Sequence, residues 1–260
     1  MRTDYQDPDR EPGVESFTPS RLLGCPRQTV LMGQADHYID IDQAWPMVRG
    51  NMIHALMEKA SYPHAVATVR EKRFATTVMT KYGPQPFTGK ADLIVVKSVE
   101  SVNGVPTLHC KVVDYKSKNE IKHDLTSALL DHQLQVNMYA WLSQKCLLDT
   151  VDLGFPPEAV VVVDELEIVY CSMQKVRRFT SAGQLQSPGK MITRNPRTNE
   201  MLTLEPITLW PPDKTERFIA AKIEERIDAK EVLPPILEGD AAWRCNYCPI
   251  KDYCYGLGNK

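Results

Sequence analysis

The chain has 260 residues, 43% of them hydrophobic, and a formal net charge of −2. That length supports one large domain with a substantial core or two small ones, and no apolar run approaches the roughly 20 residues that span a bilayer. The near-neutral charge neither favours nor excludes nucleic acid, because phosphate contacts require only local concentrations of positive charge.

Met1 to Glu15 is polar and carries several Asp, Arg and Pro residues. It lacks the apolar stretch of a secretory signal. Residues 1–16 are expected as a flexible tail and 17–260 as a single domain. A cytoplasmic protein is expected, with its seven cysteines reduced or ligating metal rather than paired in disulfides. Thr18-Pro19 predicts a helix start, Thr18 as N-cap and Pro19 at the first helical position. Cys25 falls at or near the end of that short helix. A second helix is predicted over Asp42–Lys59, its regular part beginning at Pro46. Gly50, His54 and Glu58 follow one another at four-residue intervals and share a face.

Ala65 to Lys116 reads as strand, in the segments Val66–Met79, Ala91–Val99 and Leu108–Tyr115. Val102-Asn103-Gly104-Val105 sits between the last two, and Asn-Gly between apolar strands is the strongest short hairpin signal. This hairpin places Asp92 and Asp114 near each other on neighbouring strands. A long helix is predicted over Asp124–Leu148, with Leu125, Leu129, Leu130, Leu134, Met138 and Leu142 at helical spacing. Gln135 and Tyr139 lie one turn apart on another face. Ala159–Val163 and Glu167–Cys171 suggest two further strands. Thr180–Asn199 reads as a loop or loose hairpin. A last helix runs from Asp213 to about Lys230 and ends before Pro234-Pro235.

Two constellations carry chemistry. The first is Gly89-Lys90-Ala91-Asp92, then Asp114-Tyr115-Lys116, then Gln135 and Tyr139. Hydrolysis of a phosphodiester needs a hard divalent cation, and carboxylates on adjacent strands suit Mg²⁺ or Mn²⁺. Lys116 leaves the strand on the same face as Asp114, where it can orient water or neutralise developing charge. A surface Asp-x-Lys is common by itself; the ordered set with Asp92 and His54 is not. His54 supplies a neutral imidazole as a further ligand, and Glu58 is either its hydrogen-bonded orienter or an ordinary exposed acid. Arg70, Lys72 and Arg73, then Lys116, Lys118 and Lys122, then Lys175, Arg177 and Arg178 are the basic clusters available to DNA. Each is equally readable as a solvated face.

The second constellation is Cys245-Asn-Tyr-Cys248 followed by Cys254, with Cys25 at the other end of the chain. Four thiolates suit an iron–sulfur cluster, and zinc is the structural rival. Cys110, Cys146 and Cys171 lie in apolar contexts and read as buried hydrophobes. Tyr247, Tyr253 and Tyr255 pack around the cysteines or stack bases.

These motifs, Gly50-x-x-x-His54, Gly89-x-x-Asp92, Asp114-x-Lys116 and Gln135-x-x-x-Tyr139, resemble the RecB-type nucleases of the PD-(D/E)XK superfamily. With the four cysteines the chain resembles the iron–sulfur branch, which includes the CRISPR-associated Cas-four nucleases and the AddB C-terminal nuclease. The resemblance covers about Phe17 to Tyr255. It implies an α/β fold, a mixed sheet flanked by helices, with an iron–sulfur module joining the terminal segments. It implies metal ligation by His54, Asp92, Asp114 and the Tyr115 carbonyl, with Lys116 catalytic and Gln135 and Tyr139 supporting. It implies a structural [4Fe–4S] cluster on Cys25, Cys245, Cys248 and Cys254. The expected activity is Mg²⁺- or Mn²⁺-dependent DNA cleavage, as a single-strand exonuclease in repair, recombination or CRISPR adaptation. Its expected partners are DNA and a CRISPR integrase or recombination proteins. The alternative is a non-catalytic iron–sulfur or zinc DNA-binding scaffold with a vestigial nuclease site. Many relatives carry Glu at the Asp114 position.

Overall fold

Long runs of Val, Ile and Leu interrupted by an Asn-Gly pair leave the middle of the chain little choice but a twisted sheet. The computed structural model describes residues 16–32, 34, 41–57, 59–62, 64–118, 125–146, 153–172, 176–181, 191–194 and 201–258. A five-stranded mixed sheet has the order β1 (Ala67–Thr80), β2 (Gly83–Val102), β3 (Val105–Ser117), β4 (Val160–Cys171), β5 (Val176–Thr180). The β2–β3 and β4–β5 pairs are antiparallel, and β3–β4 is parallel. A parallel pair requires a crossover, here supplied by α4 (Leu130–Lys145). The predicted strand pair at 159–171 is one continuous strand. Asp164 and Glu165 at its middle are neutralised across the sheet by Lys97 Nζ, at 2.7 and 3.2 Å, so the polar interruption does not break it.

The Asn-Gly turn is as predicted. Val102 pairs with Val105, and Asn103 and Gly104 have φ of 53° and 81°, the doubly left-handed turn that matches strand twist. Leu93, Val95, Val113, Tyr115, Val169 and Cys171 form one buried cluster, covered by Ile53 and Met57 of α3 (Ile41–Met57), Tyr62 and Ala65. Alternate residues Ile94, Val96, Val112 and Ile168 are also fully buried, and α4 contacts β3 and β4. Each such side chain contributes about 1.5–3 kcal/mol through burial.

Helix boundaries differ from the sequence reading. The second helix begins at Ile41, one residue before the predicted Asp42, and is regular before Pro46 as well as after it; Pro46 forfeits a single backbone hydrogen bond without ending it. The long helix starts at Leu130, not at 124. Thr126 O instead accepts from Glu205 N–H at 2.8 Å, Leu129 N–H donates to Tyr170 OH at 3.0 Å, and Gln133 Nε2 takes Ala128 O at 2.7 Å. Those partners hold 126–129 outside the helix. Leu129 and Leu130 are accordingly exposed, whereas Val136 to Ser143 are buried all round. The segment predicted as a loop or loose hairpin, Thr180–Asn199, contains β6 (Met191–Arg194), which pairs antiparallel with β7 (Met201–Leu204) beyond its end. The N-terminal tail, Glu58, Lys122, Asp124, Leu148 and Lys175 lie outside the described residues.

The chain forms two compact units, Met1–Met47 with Thr77–Thr88 and Glu216–Lys260, and Val48–Thr76 with Gly89–Thr215. The first unit joins segments from both ends of the sequence. Thr18 caps α1 (Pro19–Leu23), as predicted, and Cys25 precedes α2 (Pro26–Leu31). Phe17 N–H donates to Pro86 O at 3.0 Å and Phe17 O accepts from Thr88 N–H at 2.8 Å. In the same unit α5 (Pro212–Glu231) is followed by a 3₁₀ segment, Gly239–Tyr247, and by α6 (Lys251–Leu257).

Two glycines separate backbone strain from steric conflict. An added Cβ meets nothing within 4 Å at Gly104 or at Gly256, but only Gly104 has a left-handed backbone. Gly104→Ala is expected to lower the unfolding free energy by about 1–2 kcal/mol. Gly256→Ala, inside α6, should raise it by up to about 1 kcal/mol. Urea unfolding midpoints of the two variants should therefore move in opposite directions.

Candidate active site

The register Leu93↔Val113, carried one step further, sets Asp92 opposite Asp114. Both carboxylates are buried, at 9% and 1% exposure. Asp92 Oδ2 accepts the Tyr115 N–H at 2.7 Å, and the Tyr115 carbonyl lies 3.2 Å from His54 Nε2 on α3. His54 Nδ1 stands 3.5 Å from Asp92 Oδ1 and 3.8 Å from Glu71 Oε1 on β1. Asp114 faces Lys116, whose Nζ is 2.9 Å from Oδ1 and 2.7 Å from Oδ2. Asp114 Oδ2 is buried without a well-directed hydrogen bond.

The electrostatics are those of a crowded acidic site. Burial first, and the Asp114 charge second, push the Asp92 carboxyl up to about 7, against the opposing pull of His54, Lys116 and the Tyr115 N–H. When His54 Nε2 donates to Tyr115 O, Nδ1 turns a lone pair toward two carboxylates. That arrangement needs a proton or a cation among the three groups. Among the described residues His54, Glu71 and Asp92 are the group whose ligand atoms close to within 4.8 Å of one another. One imidazole nitrogen and carboxylate oxygens suit Mn²⁺ or Mg²⁺.

Sequence reading missed Glu71. It lies between Arg70 and Lys72, a lone acid in a basic run, and that contrast was its only signal. Its backbone has φ of 49°, uncommon for a non-glycine residue and frequent at functional sites. Lys90 Nζ pairs with its Oε2 at 2.5 Å. Arg70, in turn, serves structure: it donates to Met57 O at 3.1 Å and to Ala60 O at 2.6 Å. Gly50 is not sterically required, since a Cβ there would meet Ser117 Oγ at 3.6 Å, an ordinary contact.

Gln135 and Tyr139 are bonded to each other, Nε2 to OH at 2.9 Å. Their neighbour Asn137, unremarked in the sequence, binds Gln133 O at 2.9 Å, Thr208 O at 3.0 Å and Trp210 N–H at 2.8 Å, which braces α4 against the 208–210 segment. His132 Nδ1 lies 2.7 Å from Tyr170 OH. Burial, then Lys116 and Lys118, push its pKa down to about 3, so it is neutral. Burial and the charge of Lys116 also lower the Lys118 pKa, and Lys118 Nζ lies over the Tyr170 ring, 5.5 Å from its centroid.

The cysteines of the second constellation belong to the first unit. Cys25, Cys245, Cys248 and Cys254 are half-buried and not in disulfides. Burial raises the Cys248 thiol pKa, and Cys25, Cys254 and Cys245 add to the rise, so all four share one electrostatic neighbourhood. The Tyr255 hydroxyl is hydrogen-bonded to Cys245. Cys110 and Cys171 are buried in the sheet, and Cys146 is half-buried with Sγ 3.4 Å from Ala75 O. Among the described residues no helix is long and apolar enough to cross a membrane.

A family model for the PD-(D/E)XK nuclease superfamily matches residues 62–255. No curated protein matches the chain. The crystal structure of SSO0001 is similar at a TM-score of 0.54 and 15% identity, over 95% of this chain and 88% of that one. At that identity the likeness speaks to the fold alone.

The raised Asp92 carboxyl has a pH signature. Its protonated form favours the folded state, so its contribution is complete below the ordinary value of 3.8 and is lost as pH rises through about 7. In EDTA, Asp92→Asn should gain melting temperature relative to wild type as pH rises from about 5 to about 8. Added Mn²⁺ should raise the melting temperature of wild type and not of the variant. Parallel curves for the two proteins in EDTA would count against a buried charge at this position.

Proposed function

The chain belongs to the PD-(D/E)XK nuclease superfamily, and from that premise we propose that it is a Mg²⁺- or Mn²⁺-dependent deoxyribonuclease acting on single-stranded ends. Membership implies metal-dependent nuclease chemistry. The observation that carries the reading is the grouping of His54, Asp92 and Glu71, whose ligand atoms lie within 4.8 Å of one another, with Asp114 opposite Asp92 on the hairpin and the Tyr115 carbonyl beside His54 as further donors to a hard cation. The buried Asp114 Oδ2, charge-paired with Lys116 but without a well-directed hydrogen bond, and the Asp92 carboxyl held near neutrality fit that role, and Glu71 stands beside His54. A divalent cation held there would supply Lewis acidity to the phosphate and a nucleophile at neutral pH.

The remaining roles fall to this chain's own groups. Lys116, paired with Asp114 at rest, is positioned to neutralise charge that develops on the phosphate. Lys118 adds a second cation for the backbone of the strand. Tyr115 N–H fixes the Asp92 carboxylate, and Gln135 with Tyr139 supports the site from α4. The preference for single strands and free ends rests on the motif resemblance.

We also propose that Cys25, Cys245, Cys248 and Cys254 hold a [4Fe–4S] cluster with a structural role. The shared electrostatic neighbourhood of the four thiols supports this.

Asp114→Asn and Lys116→Ala are each expected to slow cleavage of an end-labelled single strand by at least about 100-fold, with melting temperature and cysteine-site absorbance retained. Lys118→Ala should weaken binding and reduce its salt slope by about 1. A circular single strand should resist the enzyme. Undiminished cleavage in excess EDTA would sink the metal assignment, and ready cleavage of the circle would replace the exonuclease reading with an endonuclease.

A further inference from the structure

Two arginines lie buried beside the cysteines, and their charge has no carboxylate partner among the described residues. Arg27 is 1% exposed. Its Nη1 donates to Pro234 O at 2.7 Å, and its Nη2 donates to Cys254 O at 3.3 Å and Gly258 O at 2.5 Å. Its Nε donates to the sulfur of Cys254 at 3.1 Å. Arg226 is 2% exposed. Its Nη2 donates to Leu22 O at 2.7 Å and Gly24 O at 2.6 Å, on the turn that leads into Cys25. Its Nε and Nη1 are buried and have no hydrogen-bond partner among the described residues. The negative groups that bear on Arg226 are Glu225, which is paired with Lys222 Nζ at 2.6 Å, and Cys25. Arg244 Nη1 adds a third cation on the same turn, bound to Leu23 O at 2.8 Å.

A guanidinium out of water needs an opposite charge, because carbonyl dipoles alone do not offset its lost hydration. We infer that Arg27 and Arg226 form a buried cationic cradle for a net-negative tetrathiolate cluster, which they hold in place and whose reduced form they stabilise. This rests on the proposed [4Fe–4S] cluster and adds to it a function for two residues outside the cysteine motif. Reduction by one electron makes such a cluster more negative. A fixed cation and an N–H donated to a ligand sulfur both favour that form and raise the potential.

The test is a dithionite titration, with redox mediators, of the full chain prepared without oxygen, after iron and sulfide have been counted. At the wild-type midpoint, Arg226→Met should lower the ratio of reduced to oxidised cluster at least about tenfold, or about 59 mV for a one-electron couple. Arg27→Met should move it the same way. Arg226→Lys, which keeps the charge but not the fork, should recover most of the wild-type ratio. If Arg226→Met loses its iron, recovery of iron in Arg226→Lys supports the cradle, and loss in both variants overturns a role for charge. Retained iron with an unchanged ratio in both methionine variants also overturns the cradle. Zinc without iron in the wild type refutes the cluster itself before any variant is made.

Discussion

One hydrogen bond organises the hydrolytic site. Where the β2–β3 ladder runs out beyond Leu93 and Val113, the Tyr115 N–H bonds the Asp92 side chain at 2.7 Å. The backbone of Tyr115 is thereby fixed, and its carbonyl meets His54 Nε2 at 3.2 Å. A single residue's amide and carbonyl thus bracket two prospective ligands from different elements. The Tyr115 ring contributes to the same end. It is buried in the core cluster and bonded to Tyr62 OH at 3.1 Å, so the backbone cannot turn without disrupting packing. The precision of the site comes from strand and core rather than from loops.

What was legible in the sequence was local or periodic. Thr18-Pro19, Asn103-Gly104 and the i, i+2 relation of Asp114 to Lys116 each rest on one or two residues' stereochemistry, and each appears in the fold as read. The nearness of Asp92 and Asp114 followed from the hairpin, but their direct pairing depends on the bulge at Lys97, without which the turn's register would set Asp92 opposite Tyr115. Helix limits were read less well. The start of α4 depends on Glu205, Tyr170 and Gln133, two of which lie far along the chain. No periodicity within 124–130 reports on partners that distant.

Glu71 and the arginines were illegible for related reasons. Glu71 reaches His54 through a left-handed backbone conformation in mid-strand, and nothing in Arg70-Glu71-Lys72-Arg73 demands one. Arg27 and Arg226 find their partners more than 200 residues away in sequence. Buried arginine is also the reverse of the usual expectation for a long basic side chain. The cysteine pattern suggested the proposed cluster but not the charge around it. Folding alone exposes that second layer, since it draws both chain ends into one unit.

The two sites handle excess charge in opposite ways, and this bears on how each binds its ligand. At the carboxylates, Asp114 is compensated by Lys116 and Asp92 by a proton retained up to about pH 7. Both compensations are reversible. A divalent cation held there would take the place of the proton and leave Lys116 for the substrate, so that no charge at the site would stay unpaired. At the cysteines the compensation is built in, because a guanidinium is a permanent charge near neutral pH. Once the thiolates are occupied the arginines are balanced, and without an anionic ligand they are not. A resident cluster suits the second arrangement and an exchangeable metal ion suits the first. On the proposed assignment of both sites, a difference in ligand lifetime would follow from the residues that surround each site rather than from the ligands themselves.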